Sequence, residues 1–228
     1  MISEPPRPIV RALTVLALVA IGLIGIATVI GKQLHGATSF DARISDWFLR
    51  HRTSSWNEIT SLFSRLASTP WVVGMCLIVI AACVAIRPHD SGLSVLVVAM
   101  LGELAIFLSI TALVERARPT IPHLDAGPPT SSFPSGHTFA TFVLWGTLCW
   151  LAHHHRLHPA VRVVTLVLAV MMPISVGLSR IYRGMHHPTD VLASLILGGV
   201  WLTAVVRIAG PCVRTNEDRH PQAAAVYA

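Results

Sequence analysis

The chain has 228 residues, of which 53% are hydrophobic and only 12% carry a formal charge, with a net charge of +6. A soluble domain of this length rarely shows such a balance, so the composition excludes an ordinary water-soluble protein and indicates that most of the chain lies in lipid. The positive charge is almost all arginine, because Lys32 is the only lysine. This excess fits either contact with anionic lipids or a genome rich in G and C, and we expect no nucleic-acid partner.

Six apolar runs approach the length of about 20 residues that a helix needs to cross a hydrocarbon core of roughly 30 Å. In chain order they cover residues 10–31, 70–86, 93–114, 137–153, 161–178 and 188–208. The runs are continuous rather than alternating in polarity, which favours helices over a membrane barrel. We therefore predict an all-α fold, a bundle of six transmembrane helices that forms one domain over residues 1–210.

The segments outside these runs differ from them in composition. Residues 40–68 mix aromatic and aliphatic side chains with charges at helical spacing, which is typical of an amphipathic helical segment at a membrane interface. The first run is longer than the core of a signal peptide and lacks a convincing cleavage site, so we expect a retained helix. Residues 211–228 are predicted to form a disordered tail.

An even number of spans places both termini on one side of the membrane. The loops at residues 116–136 and 179–187 then lie together on the other side. Arginines occur on both sides, so the charge pattern alone does not assign the cytoplasmic face.

Those two loops contain a set of residues suited to binding phosphate. Arg118 and Arg180 come from different loops and can bind phosphate oxygens through charge-assisted hydrogen bonds. Ser135 and Gly136 precede the fourth run, where a helix N-terminus with exposed N–H groups favours an anion. Each feature alone is common, and an arginine at a helix end is more often an interface anchor.

Two histidines accompany the arginines. His186 stands just before Pro188, and Asp190 falls in the first turn of the following helix, where it can reach back to the imidazole. A carboxylate there would hold one ring nitrogen as N–H and leave the other free to attack phosphorus. His137, from the other loop, is placed to protonate the departing oxygen.

In this order and spacing, these residues resemble the type 2 phosphatidic acid phosphatase (PAP2) and vanadium haloperoxidase superfamily, whose pattern is K-x6-R-P, P-S-G-H and S-R-x5-H-x3-D. The second and third parts match fully and the first is met by Arg118-Pro119, over a resemblance that covers roughly residues 40–208. The first part is broken seven residues before Arg118, where Thr111 occupies the lysine position. Arg116 and Arg183 are candidates to supply the missing charge.

The resemblance implies a helical core and a phosphohistidine intermediate. It makes His186 the nucleophile, Asp190 its partner and His137 the general acid. It assigns the phosphoryl oxygens to Arg118, Arg180, Ser135 and Gly136, with Arg116 and Thr111 as further candidates. No metal ion and no cofactor is needed in that scheme, and the pocket of the membrane branch faces outward at the height of the lipid headgroups. We therefore expect a multi-pass protein of the plasma (inner) membrane with cytoplasmic termini.

The leading functional hypothesis is a lipid phosphatase, with undecaprenyl diphosphate as the first candidate and phosphatidate or phosphatidylglycerol phosphate as alternatives. A catalytically impaired lipid-binding protein is a second class, suggested only by Thr111. Vanadate-dependent halide oxidation is a third class, which the six apolar runs disfavour because that branch is soluble. The oligomeric state is left open.

Two further polar features lie inside or beside the runs. Glu103 is a carboxylate within the third run, either a packing residue or part of a substrate channel. The run His153-His154-His155 fits a solvated loop better than a metal site, because it lies opposite the proposed pocket.

Overall fold

The computed structural model describes residues 7–34, 36–86, 92–127 and 130–219. Within these residues the chain forms eight α-helices and no strand, so the all-α prediction is confirmed. The helices are α1 (Arg7–Gln33), α2 (Ser39–Arg50), α3 (Ser54–Leu66), α4 (Thr69–Ile86), α5 (Gly92–Leu113), α6 (Gly136–His154), α7 (Pro159–Tyr182) and α8 (Pro188–Arg219).

Five helical segments among the described residues are long and apolar enough to cross a membrane. They are Ile9–Gln33, Thr69–Ile86, Gly92–Leu113, Pro159–Tyr182 and Pro188–Pro211. The remaining predicted span, residues 137–153, is also helical as α6, but its composition is less apolar than that of the other five. Three threonines of α6 contribute to this less apolar composition: Thr138, Thr141 and Thr147. Their side chains are buried in the bundle rather than exposed on its outside.

Helix α6 is the centre of the bundle, since it contacts α4, α5, α7 and α8. Phe139 and Val143 of α6 are fully buried with Ile106 and Ile110 of α5 and with Val205 of α8. The polar start of α6 is therefore held in place by an apolar core that continues along the same helix. Helix α1 closes this core from the side, packing against α5 and α8.

The segment predicted at the interface, residues 40–68, folds as the two helices α2 and α3. The side chains that these helices bury against the bundle are polar: Asp41, Ser45, Thr60 and Ser64. The side chains that they expose include large apolar ones: Phe40, Trp47, Trp56, Ile59 and Leu62. This is the reverse of a surface helix in a soluble protein, where the apolar face is the buried one.

Helix α8 ends later than the sequence predicts. It continues past Pro211 to Arg219, within the residues 211–228 for which the sequence predicts a disordered tail, and that disorder stays a prediction. A proline inside a helix removes one backbone hydrogen bond and strains the preceding turn, but the helix can continue beyond it. Residues 220–228 of the predicted tail lie outside the described residues.

The packing of α5 on α8 depends on a glycine. A Cβ atom at Gly102 would lie 2.0 Å from the ring of Trp201. That ring is fixed, because Trp201 is buried and its indole N–H donates to the carbonyl oxygen of Ala99 at 2.8 Å. Only a residue without a side chain allows the two helices to approach this closely.

We expect Gly102→Ala to lower the thermal stability of the purified protein in detergent, because overpacking of this kind costs about 1–3 kcal/mol. Gly22→Ala in α1 is the matched control, since a Cβ there meets nothing within 4 Å. The comparison is made by following intrinsic fluorescence during heating. Equal melting temperatures for the two variants would contradict the tight α5–α8 contact.

Candidate active site

The predicted site residues lie at one end of the bundle, where three chain segments meet. These are the connection between α5 and α6, the turn between α7 and α8, and the first turns of α6 and α8. The charges of Arg118 and Arg180 act on both His137 and His186, so the two histidines and the two arginines share one electrostatic environment. The structure thus brings together residues that are up to 68 positions apart, from Arg118 to His186.

His186 is buried, and its Nδ1 lies 2.7 Å from the carbonyl oxygen of Ser132. A carbonyl oxygen can only accept, so Nδ1 carries the hydrogen and Nε2 carries the lone pair. Burial, followed by the charges of Arg180 and Arg118, holds the pKa of this imidazole well below its ordinary value. His186 is therefore a neutral imidazole with a fixed tautomer, as a nitrogen nucleophile requires.

Asp190 does not hold the ring in the way that the sequence predicts. Its Oδ2 lies 3.9 Å from Nδ1 of His186, beyond hydrogen-bond distance, and accepts instead from the backbone N–H of His187 at 2.8 Å. The Ser132 carbonyl takes the position that we predicted for the carboxylate. Asp190 is completely buried, and its carboxylate lies beside the imidazole without a hydrogen bond to it.

Arg116 forms a buried ion-pair cluster with two carboxylates and does not face the proposed phosphate position. Its guanidinium pairs with Asp190 on one side and with Asp41 at 2.8 Å on the other. Further hydrogen bonds go to the hydroxyl of Thr189 at 2.8 Å and the carbonyl oxygen of Gly36 at 3.0 Å. The hypothesis that Arg116 replaces the missing lysine does not fit this geometry, because its side chain is fully buried among other partners.

The start of α6 departs in two details from what the sequence suggests. Ser135 occupies the N-cap position, but its hydroxyl makes no capping bond and contacts the Thr138 hydroxyl at 3.0 Å. A Cβ at Gly136 would lie 2.8 Å from the ring of Phe107, so this glycine makes room for α5 rather than for a ligand. The first-turn N–H groups receive no cap from Ser135 and can interact with an anion.

Arg118 and Arg180 are each anchored at one nitrogen. Arg118 donates from its Nη1 to the carbonyl oxygen of Met185 at 2.7 Å, and Arg180 donates from its Nη1 to the hydroxyl of Ser64 at 2.6 Å. The Nε of each arginine is buried without a hydrogen-bond partner among the described residues. Buried donors of this kind are rare, and a phosphate group bound between the two guanidinium groups would supply acceptors.

Sequence reasoning missed Asp125, although it is the only acidic residue in positions 116–134. Its carboxylate accepts from Arg180 at 2.8 Å, from Nε and Nη2 of Arg183 at 2.8 and 2.6 Å, and from Ser64 at 3.1 Å. Burial alone would raise its pKa, but the hydrogen bond with Arg183 and the charges of Arg180 and Arg183 lower it below the ordinary value. Asp125 is therefore an ionised carboxylate, and it pairs with Arg180, one of the residues predicted to bind the phosphate group.

The position of the missing lysine is not filled by another cation. Thr111 is neutral, and its hydroxyl is buried without a hydrogen-bond partner in the part of the chain that the structure describes. Arg183, the other proposed substitute, donates two hydrogen bonds to Asp125 and a third to the carbonyl oxygen of Leu124. Both substitutes suggested by the sequence are thus paired with carboxylates.

No group of three or more His, Cys, Asp and Glu residues within the described ranges is arranged to hold a metal ion. The absence of a metal requirement stays a prediction.

The model of the PAP2 superfamily matches residues 92–214, more than half of the 228-residue chain. The chain belongs to the PAP2 superfamily. The match runs from the start of α5 into the last part of α8, so it contains every residue of the site described above except Gly36, Asp41 and Ser64.

Similar proteins of this superfamily come from two bacteria. Phosphatidylglycerophosphatase B of Bacillus subtilis (strain 168) is 27% identical over 161 residues, which cover 70% of this chain and 78% of that protein. The crystal structure of a transmembrane PAP2-type phosphatidylglycerolphosphate phosphatase from Bacillus subtilis superposes with a TM-score of 0.71 at 23% identity, covering 82% of this chain and 93% of that one. LpxE from Aquifex aeolicus gives a TM-score of 0.57 at 19% identity, with coverages of 75% and 96%. Together with the apolar helices, this similarity shows a multi-pass membrane protein with the PAP2 fold.

The ion-pair cluster makes Arg116 a structural residue of this PAP2 fold. We expect Arg116→Gln to destabilise the protein by about 3–5 kcal/mol, because it leaves Asp41 and Asp190 as buried carboxylates without their cation. Thermal unfolding in detergent measures the loss. Arg65→Gln on the exposed face of α3 is the matched control, and a melting temperature for Arg116→Gln as high as that of this control would exclude the structural role.

Proposed function

We propose that this PAP2 protein is a lipid phosphatase that transfers the phosphoryl group of its substrate to His186. The observation that carries the proposal is the state of that imidazole. It is neutral, its Nδ1–H is fixed by the Ser132 carbonyl, and its surroundings include Arg118 and Arg180. A neutral nitrogen beside two guanidinium groups is suited to attack a phosphorus atom whose oxygens those groups bind.

In the first step, Nε2 of His186 attacks the phosphorus atom and the P–O bond to the lipid breaks. The electron pair of that bond goes to the lipid oxygen, which takes a proton from His137. In the second step, water attacks the phosphorus atom of the phosphohistidine, the P–N bond to His186 breaks, and His137 accepts a proton from the water. The products are inorganic phosphate and the lipid alcohol, or the lipid monophosphate when the substrate is a diphosphate, and both histidines return to their starting states.

The phosphoryl oxygens carry most of the negative charge during both steps. We assign their binding to Arg118 and Arg180, whose Nε atoms have no partner among the described residues, and to the first-turn N–H groups of α6 at Gly136 and His137. These donors are fixed before the substrate arrives, because Met185 anchors Arg118 and Ser64 anchors Arg180. Asp190 acts as a positioning residue for His186, since it orders the His187 backbone next to the nucleophile.

Two kinds of lipid substrate agree with this chemistry. The first is a carrier-lipid diphosphate, with undecaprenyl diphosphate as the candidate suggested by the sequence. The second is a phosphomonoester, either phosphatidate or phosphatidylglycerol phosphate, and the latter is supported by the name of the Bacillus subtilis relative.

We also propose that α6 crosses the membrane as a sixth span. A helix surrounded by α4, α5, α7 and α8 contacts little lipid, so it can be less apolar than its neighbours. The apolar outer faces of α2 and α3, with Trp47 and Trp56 each 55% exposed, suit the headgroup region. The site then opens on the outer side of the plasma membrane, and both termini lie in the cytoplasm.

Purified protein in detergent is expected to release inorganic phosphate from at least one lipid of a panel containing undecaprenyl diphosphate, phosphatidate and phosphatidylglycerol phosphate. We expect release to persist with excess chelator and to fall by at least about a thousandfold in His186→Ala, because the nucleophile is lost. His51→Ala, at the exposed residue that follows α2, is the control and keeps full activity. Absence of release from every lipid by folded protein would favour the lipid-binding alternative.

The proposed topology places Ala126 and Leu157 on opposite sides of the membrane. Each position is changed to cysteine in a chain whose native cysteines are serine, and intact cells are treated with a membrane-impermeant maleimide. We expect labelling at Ala126→Cys and none at Leu157→Cys until the cells are opened. Labelling of both positions in intact cells would show that α6 does not cross.

A further inference from the structure

The cations near the proposed phosphate position are fewer than the number of arginines suggests. Arg116 is shared between Asp41 and Asp190, and Arg183 forms a two-point ion pair with Asp125. The family's lysine is replaced by a neutral threonine. Among the arginines that lie within the described parts of the two loops, Arg118 and Arg180 are left to neutralise a bound phosphate, and Arg180 itself contacts a carboxylate.

Asp125 is the carboxylate that lowers the positive charge further. Its side chain is 25% exposed, whereas the side chain of its partner Arg180 is only 5% exposed. The carboxylate is therefore the more solvent-accessible member of this ion pair. Four hydrogen bonds from Ser64, Arg180 and Arg183 hold it there as an ion.

The same carboxylate acts on the proposed proton donor. Burial and the charges of Arg180 and Arg118 disfavour the protonated imidazole of His137, and Asp125 is the charged group that opposes them. A negative charge in this position favours the protonated imidazole, which is the form that donates to a leaving oxygen. It repels a leaving group that is itself an anion.

We infer that Asp125 makes this site selective for a phosphomonoester over a diphosphate, an inference that rests on the proposed phosphatase function. A monoester carries up to two negative charges on one phosphate, and its leaving alkoxide needs the proton of His137. A diphosphate carries additional charge on its second phosphate, which is the leaving group and needs no proton. That second phosphate would lie beside Asp125 in a site without the family's lysine, so repulsion penalises the diphosphate alone.

The test uses two substrates with one tail, farnesyl phosphate and farnesyl diphosphate, and initial rates of phosphate release in detergent micelles. We expect the wild-type kcat/KM to be at least about tenfold higher for the monophosphate. Asp125→Asn keeps the shape and removes the charge, and it should shift the ratio toward the diphosphate by about tenfold. Asp46→Asn, an exposed carboxylate on α2, is the matched control and should leave the ratio unchanged.

Thr111→Lys is the second variant, which does not depend on the anchoring of Arg180. It adds the missing cation and should shift the ratio in the same direction as Asp125→Asn. A wild-type preference for the diphosphate, or an unchanged ratio in folded Asp125→Asn, would overturn the inference. An equal loss of activity on both substrates in Asp125→Asn, with Thr111→Lys also without effect on the ratio, would reduce Asp125 to an anchor of Arg180.

The same rate measurements also test the proposed phosphatase function, separately from the selectivity. If neither substrate releases phosphate in a way that His186→Ala abolishes, the phosphatase proposal fails. If both substrates are hydrolysed and the activity depends on His186 while the ratio does not depend on Asp125, the phosphatase proposal stands and only the selectivity inference fails.

Discussion

The arrangement of this site depends on how the fold buries charge. An ion removed from water is tolerated only when partners surround it, and removal of one partner then leaves an uncompensated charge. Arg116 meets this requirement by pairing with Asp41 from α2 and Asp190 from α8, so one guanidinium joins three parts of the chain. The ion pair with Asp190 also fixes the turn that carries His186, because the carboxylate of Asp190 accepts a hydrogen bond from the backbone N–H of His187.

Much of the fold was accessible from the sequence, because long apolar runs and short polar connections are local patterns. The boundaries of α4 and α5 agree with prediction to within about two residues. The central helix α6 is the exception, because its composition is less apolar than expected for a span while its surroundings in the bundle are apolar. Its threonines are shielded by neighbouring helices, and that shielding is a property of the assembled bundle rather than of residues 137–153.

The site was predicted as a set of residues, but not as a set of contacts. Motif spacing indicated His186, Asp190 and the two arginines, whereas a pattern of side chains cannot reveal that a backbone carbonyl at Ser132 fixes the imidazole. The role of Asp125 was not predicted, for a related reason. A single carboxylate in a loop rich in proline and glycine reads as a solvated residue until folding places it between Arg180 and Arg183.

Helix α3 has an unusual position, because one face contacts the site and the other is apolar. Ser64 and Thr60 on its inner face bind Arg180, Arg183 and the hydroxyl of Ser179, while Trp56 and Leu62 lie on its outer face. If the outer face rests among lipid headgroups, α3 forms a mechanical link between the bilayer surface and the guanidinium groups. Lateral pressure and headgroup spacing then become variables of catalysis, and the membrane is part of the enzyme's working geometry rather than only its solvent.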